Sequence, residues 1–176
     1  MKFDELGIPK TPFERFKEFV GKGRCFKEVC IYFKENNLHK SKGQPAVYKF
    51  TGLDGMCYYG KADDLIRRLR DYVNENNINE GLKESIWKNG RHFFKFAFVQ
   101  EYNHGKGVTK ITLDNILDAE HWFTNQAEKR GVKLFNLINK KDKVLPKSNK
   151  KIKSKYEKTK DNFDGFDDLL NKGFII

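Results

Sequence analysis

Apolar residues recur at helical spacing twice near the start of the chain. Thr11, Pro12 and Glu14 spell a helix start: a capping hydroxyl, a proline at the first helical position and a carboxylate three residues after the cap. Phe13, Phe16, Phe19 and Val20 then form one stripe, which Gly21 and Gly23 end. A second helical stripe carries Phe26, Val29, Cys30 and Phe33. Polar residues 35–45 follow and close the helical pair at Gln44-Pro45.

The period then falls to two, with Ala46, Tyr48 and Phe50 on one face. Gly52-Leu53-Asp54-Gly55 is a turn signal, and Met56 to Gly60 reads as the returning strand. If the loop is Leu53-Asp54-Gly55 with Gly55 left-handed, Gly52 pairs with Met56 and Phe50 with Tyr58. Tyr48 and Tyr58 then project from the same face, and a one-residue slip would part them.

From Asp63 the helical period returns. Asp63 or Asp64 stands near the start, where a carboxylate suits the helix dipole, and Leu65, Ile66, Leu69, Tyr72 and Val73 make the buried face. Residues 93–99 are apolar on both sides, as a central strand is. Residues 102–107 read as a loop, Ile111 to Lys129 as a long amphipathic helix ended by Gly131, and Leu134 to Ile138 as a short apolar segment. The order β-β-α-β-α predicts an α+β fold with a small mixed or antiparallel three-stranded sheet flanked by helices. Residues 1–44 are read as an N-terminal helical extension, 45–139 as the core and 140–176 as a basic arm with a C-terminal segment.

Charge changes this picture more than size does. The formal net charge is +11, and residues 139–160 hold ten lysines against one Asp and one Glu. Such an excess attracts polyanions, of which nucleic acid is the commonest inside cells, and the arm is expected to add salt-dependent phosphate contacts. A lysine-rich surface also keeps a protein soluble, and charge says nothing of catalysis. No run of about 18 apolar residues predicts a membrane span. The first ten residues show no apolar signal region, so a cytoplasmic location is expected. Cys25, Cys30 and Cys57 are an odd set that fits reduced thiols. A zinc site from Cys25, Cys30 and His39 lacks the second half of a ligand set.

Two charged residues break apolar patterns. On a helical wheel Glu120 falls within the stripe of Leu113, Ile116, Leu117, Phe123 and Ala127. A carboxylate there is paired, protonated, metal-bound or reaches water at the helix end. Arg68 flanks the apolar face of its helix one turn before Tyr72, whether as a snorkelling surface residue, a salt-bridge partner or an anion-binding group. Together with Tyr48, Tyr58 and Lys61, these residues could supply a proton acceptor, cations and one hard metal ligand. Phosphodiester hydrolysis needs that inventory: an activated water, neutralised phosphoryl oxygens and help for the leaving 3′ oxygen. A single carboxylate suits Mg²⁺, which keeps most of its water shell. A tyrosine base would need its pKa lowered, and a nearby lysine can do so.

At these residues the chain resembles the GIY-YIG nuclease superfamily. Ala46-Val47-Tyr48 stands for the first signature and Tyr58-Tyr59-Gly60 for the second. Residues 60–69 are similar to the helix start in the N-terminal nuclease domain of the bacterial excision-repair incision enzyme. Ala119-Glu120 and Phe135-Asn136 resemble later motifs, so the likeness spans about Ala46 to Asn136. It implies a GIY-YIG-like core and a metal-dependent DNA endonuclease. Tyr48 would be the base or water-orienting phenol with Tyr58 as its partner, and Lys61 would tune it. Arg68 would bind the scissile phosphate, and Tyr72 matches a helix tyrosine of some members. Glu120 would hold one Mg²⁺ or Mn²⁺, and Asn136, or Asn139 given the loose spacing, would brace the site. Ala46 replaces the usual Gly and Tyr59 the usual Ile, which are read as packing changes. Two other readings compete: a catalytically inactive nucleic-acid-binding module of the same fold, and a basic interaction protein with no site.

Overall fold

The computed structural model describes residues 8–53, 55–76, 78, 94–105 and 107–135. The first helix, α1 (Pro12–Val20), starts as its sequence predicts. Thr11 Oγ1 accepts from the Glu14 amide at 3.2 Å, and the Glu14 carboxylate accepts from the Thr11 amide at 2.6 Å. Phe13, Phe16 and Val20 are buried along it, and Phe26, Val29, Cys30 and Phe33 along α2 (Phe26–Glu35). A 3₁₀ turn at Leu38–Lys40 leads to the strands.

β1 (Ala46–Thr51) and β2 (Cys57–Ala62) form an antiparallel hairpin in which Phe50 faces Tyr58 and the Gly52 amide donates to Met56 O at 2.8 Å. Gly55 has φ 76°, a left-handed conformation open to glycine at no steric cost, so it fixes the register expected of this turn. α3 (Leu65–Val73) follows, capped by Asp64, whose side chain accepts from the Arg67 amide at 2.9 Å. Its buried residues are Leu65, Ile66, Leu69, Tyr72 and Val73.

The sheet has order β2-β1-β3, with β3 (Lys95–Val99) antiparallel to β1. The fold is therefore α+β, an antiparallel three-stranded sheet with helices on both faces. One face buries Tyr48, Phe50, Phe96 and Phe98 against residues of α1, α2 and α3. The other buries Val47, Tyr59 and Val99 against Ile116, Ala119, Phe123 and Ala127 of α4 (Ile116–Lys129).

Three expectations need correction. β3 is an edge strand, and β1 is the central one. An apolar strand on both sides reports only that both faces are covered, and here the edge is covered too. The Phe26 amide donates to Phe94 O at 2.7 Å and the Phe96 amide to Arg24 O at 3.1 Å. The outer side of β2 is met at its first residue, where the Cys57 amide donates to Lys133 O at 2.9 Å. Residues 102–107 are more than a loop: β4 (Glu101–Asn103) pairs with β5 (Val108–Lys110), and Gly105 and Gly107 turn between them at positive φ. Finally, α4 starts five residues later than expected. The Asn115 side chain accepts from the Thr112 amide at 2.8 Å and donates to Lys110 O at 2.9 Å, which holds residues 112–115 in a turn. Leu113 and Leu117 are 63% and 48% exposed and leave the apolar stripe.

Among the described residues no three of His, Cys, Asp and Glu converge on a metal position, so Cys25, Cys30 and His39 do not make a zinc site. Among them, too, no helix is long and apolar enough to cross a membrane. Asn136, Asn139, the basic arm and the C-terminal segment lie outside the described residues.

Candidate active site

Tyr48 sits on the central strand, where the pleat points its ring at α3, and it is 1% exposed. Its hydroxyl lies 2.8 Å from that of Tyr72, one residue from the end of α3. Arg68, one turn earlier on the same helix, joins them. Its Nε donates to Tyr48 Oη and one Nη to Tyr72 Oη, each at 3.2 Å, and its guanidinium stands 4.6 Å from the Tyr72 ring centre. Tyr58, diagonal to Tyr48 across the hairpin, has its ring centre 6.2 Å from that of Tyr48. Three phenols and one guanidinium thus share a single cluster.

Gly60 makes this possible. It pairs with Tyr48, and a Cβ at Gly60 would overlap the Tyr48 hydroxyl, so the tyrosine lies flat across the glycine. Ala46 is fully buried, and Tyr59 is buried on the opposite face in a parallel stack with Phe123, 6.4 Å between ring centres. Ala46 and Tyr59 are thus both packing positions.

The electrostatics run against one expectation. Burial pushes the Tyr48 phenol well above its usual 10, with Tyr72 adding to the shift and Arg68 opposing it. Burial raises Tyr58 and Tyr72 in the same way. The phenols are protonated at neutral pH, whereas a base was expected to have a lowered pKa. Lys61 does not supply that effect. It is exposed, and its pairing with Val47 puts it on the sheet face opposite the tyrosines. Arg68 is the cation in contact with the phenols. Burial works against its charge, but Tyr48 and Tyr72 more than compensate, and its pKa is raised.

Glu120 comes from α4 on the far side of the sheet. It is half-buried, and its charge is felt at Tyr58, where it favours the protonated phenol. α4 packs on β2, the edge strand that carries Tyr58, so this carboxylate and the tyrosine cluster approach from two sides of one edge. The structure thus brings together Tyr48, Tyr58, Arg68 and Tyr72, with Glu120 near enough for its charge to act on Tyr58. Lys61 stands apart, and Asn136 is outside the described residues. Asp71 was missed in the sequence: its Oδ2 is 4.0 Å from Arg68 Nη1, and the i,i+3 spacing is the signal that could have found it.

Comparison with family models, curated proteins and solved structures found no match. The chemistry of this cluster has to speak for itself.

Proposed function

We propose that this protein is a metal-dependent DNA endonuclease of GIY-YIG type. The observation that carries the reading is the meeting of Arg68, Tyr48, Tyr58 and Tyr72 in one cluster, with the Glu120 carboxylate within electrostatic reach of it. Those residues lie in four separate elements, and chance packing of apolar faces has no need to assemble a cation, three phenols and an acid.

The proposed reaction is water attack on the phosphodiester phosphorus with rupture of the bond to the 3′ oxygen. Arg68, held by two phenols, binds the phosphate and offsets the charge that develops on it. Burial of Tyr48 recasts its role. It braces Arg68 and Tyr58 from inside, and Tyr58, the more exposed phenol, orients the water. The donor set fits one hard cation: a lone carboxylate leaves most positions to water and substrate oxygens, as Mg²⁺ or Mn²⁺ prefers. Glu120 would hold that ion, which when bound acidifies water and neutralises phosphate charge.

Glu120→Gln is the test. It removes the charge at a half-exposed position, so the melting temperature and metal-free DNA binding should stay near the parent's. Metal-dependent plasmid nicking should fall by about 100-fold or more. Cleavage at the parental rate would remove Glu120 from the site. A second reading is favoured by the raised phenol pKa values: a catalytically inactive nucleic-acid-binding module with the same fold. Absence of strand breaks in the parent across Mg²⁺, Mn²⁺ and several DNA forms would select it.

A further inference from the structure

We propose that residues 39–42, clamped beside α3, form with Arg67 and Arg70 a rest for the DNA backbone next to the phosphate held by Arg68. The partner rests on the nuclease reading; the surface itself is argued from geometry.

The segment is fastened at both ends. Leu38 is buried in the core shared with α3. At the other end the Gly43 amide donates to Asp64 Oδ2 at 3.3 Å, and the Leu65 amide donates to Gln44 O at 3.1 Å. A Cβ at Gly43 would overlap Asp64 Oδ1 and stand 2.6 Å from the Ile66 amide nitrogen, so only glycine lets the chain come this close. Between the anchors, the Lys40 amide donates to Asn37 O at 3.0 Å and the Ser41 amide to Leu38 O at 2.8 Å, with Asn37 at φ 51°. The backbone is pinned and turned, and it holds His39, Lys40 and Lys42 in solvent.

Alongside, Arg67 and Arg70 are exposed three residues apart on α3, so they share one face, which adjoins that of Arg68. Among the described residues none of Lys40, Lys42, Arg67 and Arg70 makes an ion pair. Nearby acids are committed or few. Asp64 already accepts from two amides, Asp71 lies toward Arg68, and Asp63 is exposed. Four uncommitted cations on a preset frame suit a row of phosphates, because little backbone order has to be gained on binding. Such contacts carry no base sequence information, so this rest sets position along the strand.

The test is DNA affinity of the full chain, without metal, measured against NaCl concentration on a short duplex. Each phosphate that the protein no longer neutralises lowers the log–log salt slope by about 0.9. The double variant Lys40→Gln, Lys42→Gln should therefore have a slope shallower by about 2 and bind roughly tenfold more weakly at low salt. A charge-matched control, Lys27→Gln with Lys34→Gln on the exposed side of α2, should keep the parental slope. Equally shallow slopes in both double variants would overturn the rest in favour of a diffuse charge effect. An unchanged slope in the Lys40, Lys42 variant, with the parent binding DNA, would overturn it and leave the nuclease reading intact. A parent without DNA affinity would sink both. An RNA duplex of equal length that binds more tightly, with the same change of slope, would reassign the partner.

Discussion

Tyr48 shows how one residue can hold a site together without facing solvent. Its hydroxyl meets Arg68 and Tyr72, its ring stands 6.2 Å from that of Tyr58, and Gly60 supplies the space in which it lies. Tyr48→Phe removes one oxygen and takes from the Arg68 Nε its phenol acceptor in a mostly buried place. The expected loss is about 1–3 kcal/mol of unfolding free energy, read by denaturant titration, and under the proposed nuclease function the nicking rate should fall with it. An alkaline titration probes the same cluster. Tyr48, Tyr58 and Tyr72 have folded pKa values above the unfolded value near 10, so the folded state holds its protons longer. Their contribution to stability is complete below pH 10 and is lost as pH rises beyond it. Tyrosinate absorbance should therefore lag behind that of a model tyrosine until the protein unfolds. Free titration of all seven tyrosines near pH 10 in the folded protein would refute the burial argument.

At the scale of elements, Asp64 serves two ends at once. One oxygen caps α3 and the other holds the Gly43 amide, so the helix that carries Arg68 and Tyr72 is fixed at its start by a single carboxylate. Asp64→Ala should cost about 1–2 kcal/mol of stability, and Asp64→Asn less, as a denaturation midpoint would show. This part of the architecture was legible in the sequence, because the deciding signals are local. Thr11 and Glu14 are near neighbours in the chain, Gly55 dictates its own turn, and the Leu65–Val73 stripe has one period. The errors arose where the deciding partner is remote. Leu113 and Leu117 look like core on a wheel, but α4 meets the sheet through Ala119 and Phe123, opposite Val47 and Tyr59, and no local pattern encodes that direction. Central and covered edge strands are equally apolar, so β3 could not be ranked against β1. The tyrosine cluster was half legible: hairpin alternation put Tyr48 beside Tyr58, but whether burial or a cation would govern their protons depended on packing that the spacing of Lys61 misrepresented.

For the molecule as a whole, the N-terminal helices are structural partners of the sheet. Phe13, Phe16, Phe26, Phe33 and Leu38 pack in the same core as Tyr48, Phe50 and Tyr72. A chain starting at residue 45 would uncover that face and leave the Phe96 N–H and the Phe94 C=O without the partners they have in Arg24 and Phe26. It should self-associate, as an open apolar edge does, with light scattering rising with concentration. A monodisperse, fully folded product would show that the helices are dispensable.

The two closures of the sheet also order events in time. Residues 24–26 have been made long before β3 exists to receive them, whereas β2 waits for residues 133–135, more than seventy positions after it leaves the ribosome. Until then the tyrosine hairpin has one bare flank, and Tyr58 lacks Phe135, whose ring centre ends 6.5 Å away. Synthesis therefore completes the scaffold first and the mouth of the cluster last, so a chain interrupted before residue 133 would carry Arg68 and its phenols in a site that is still unfinished.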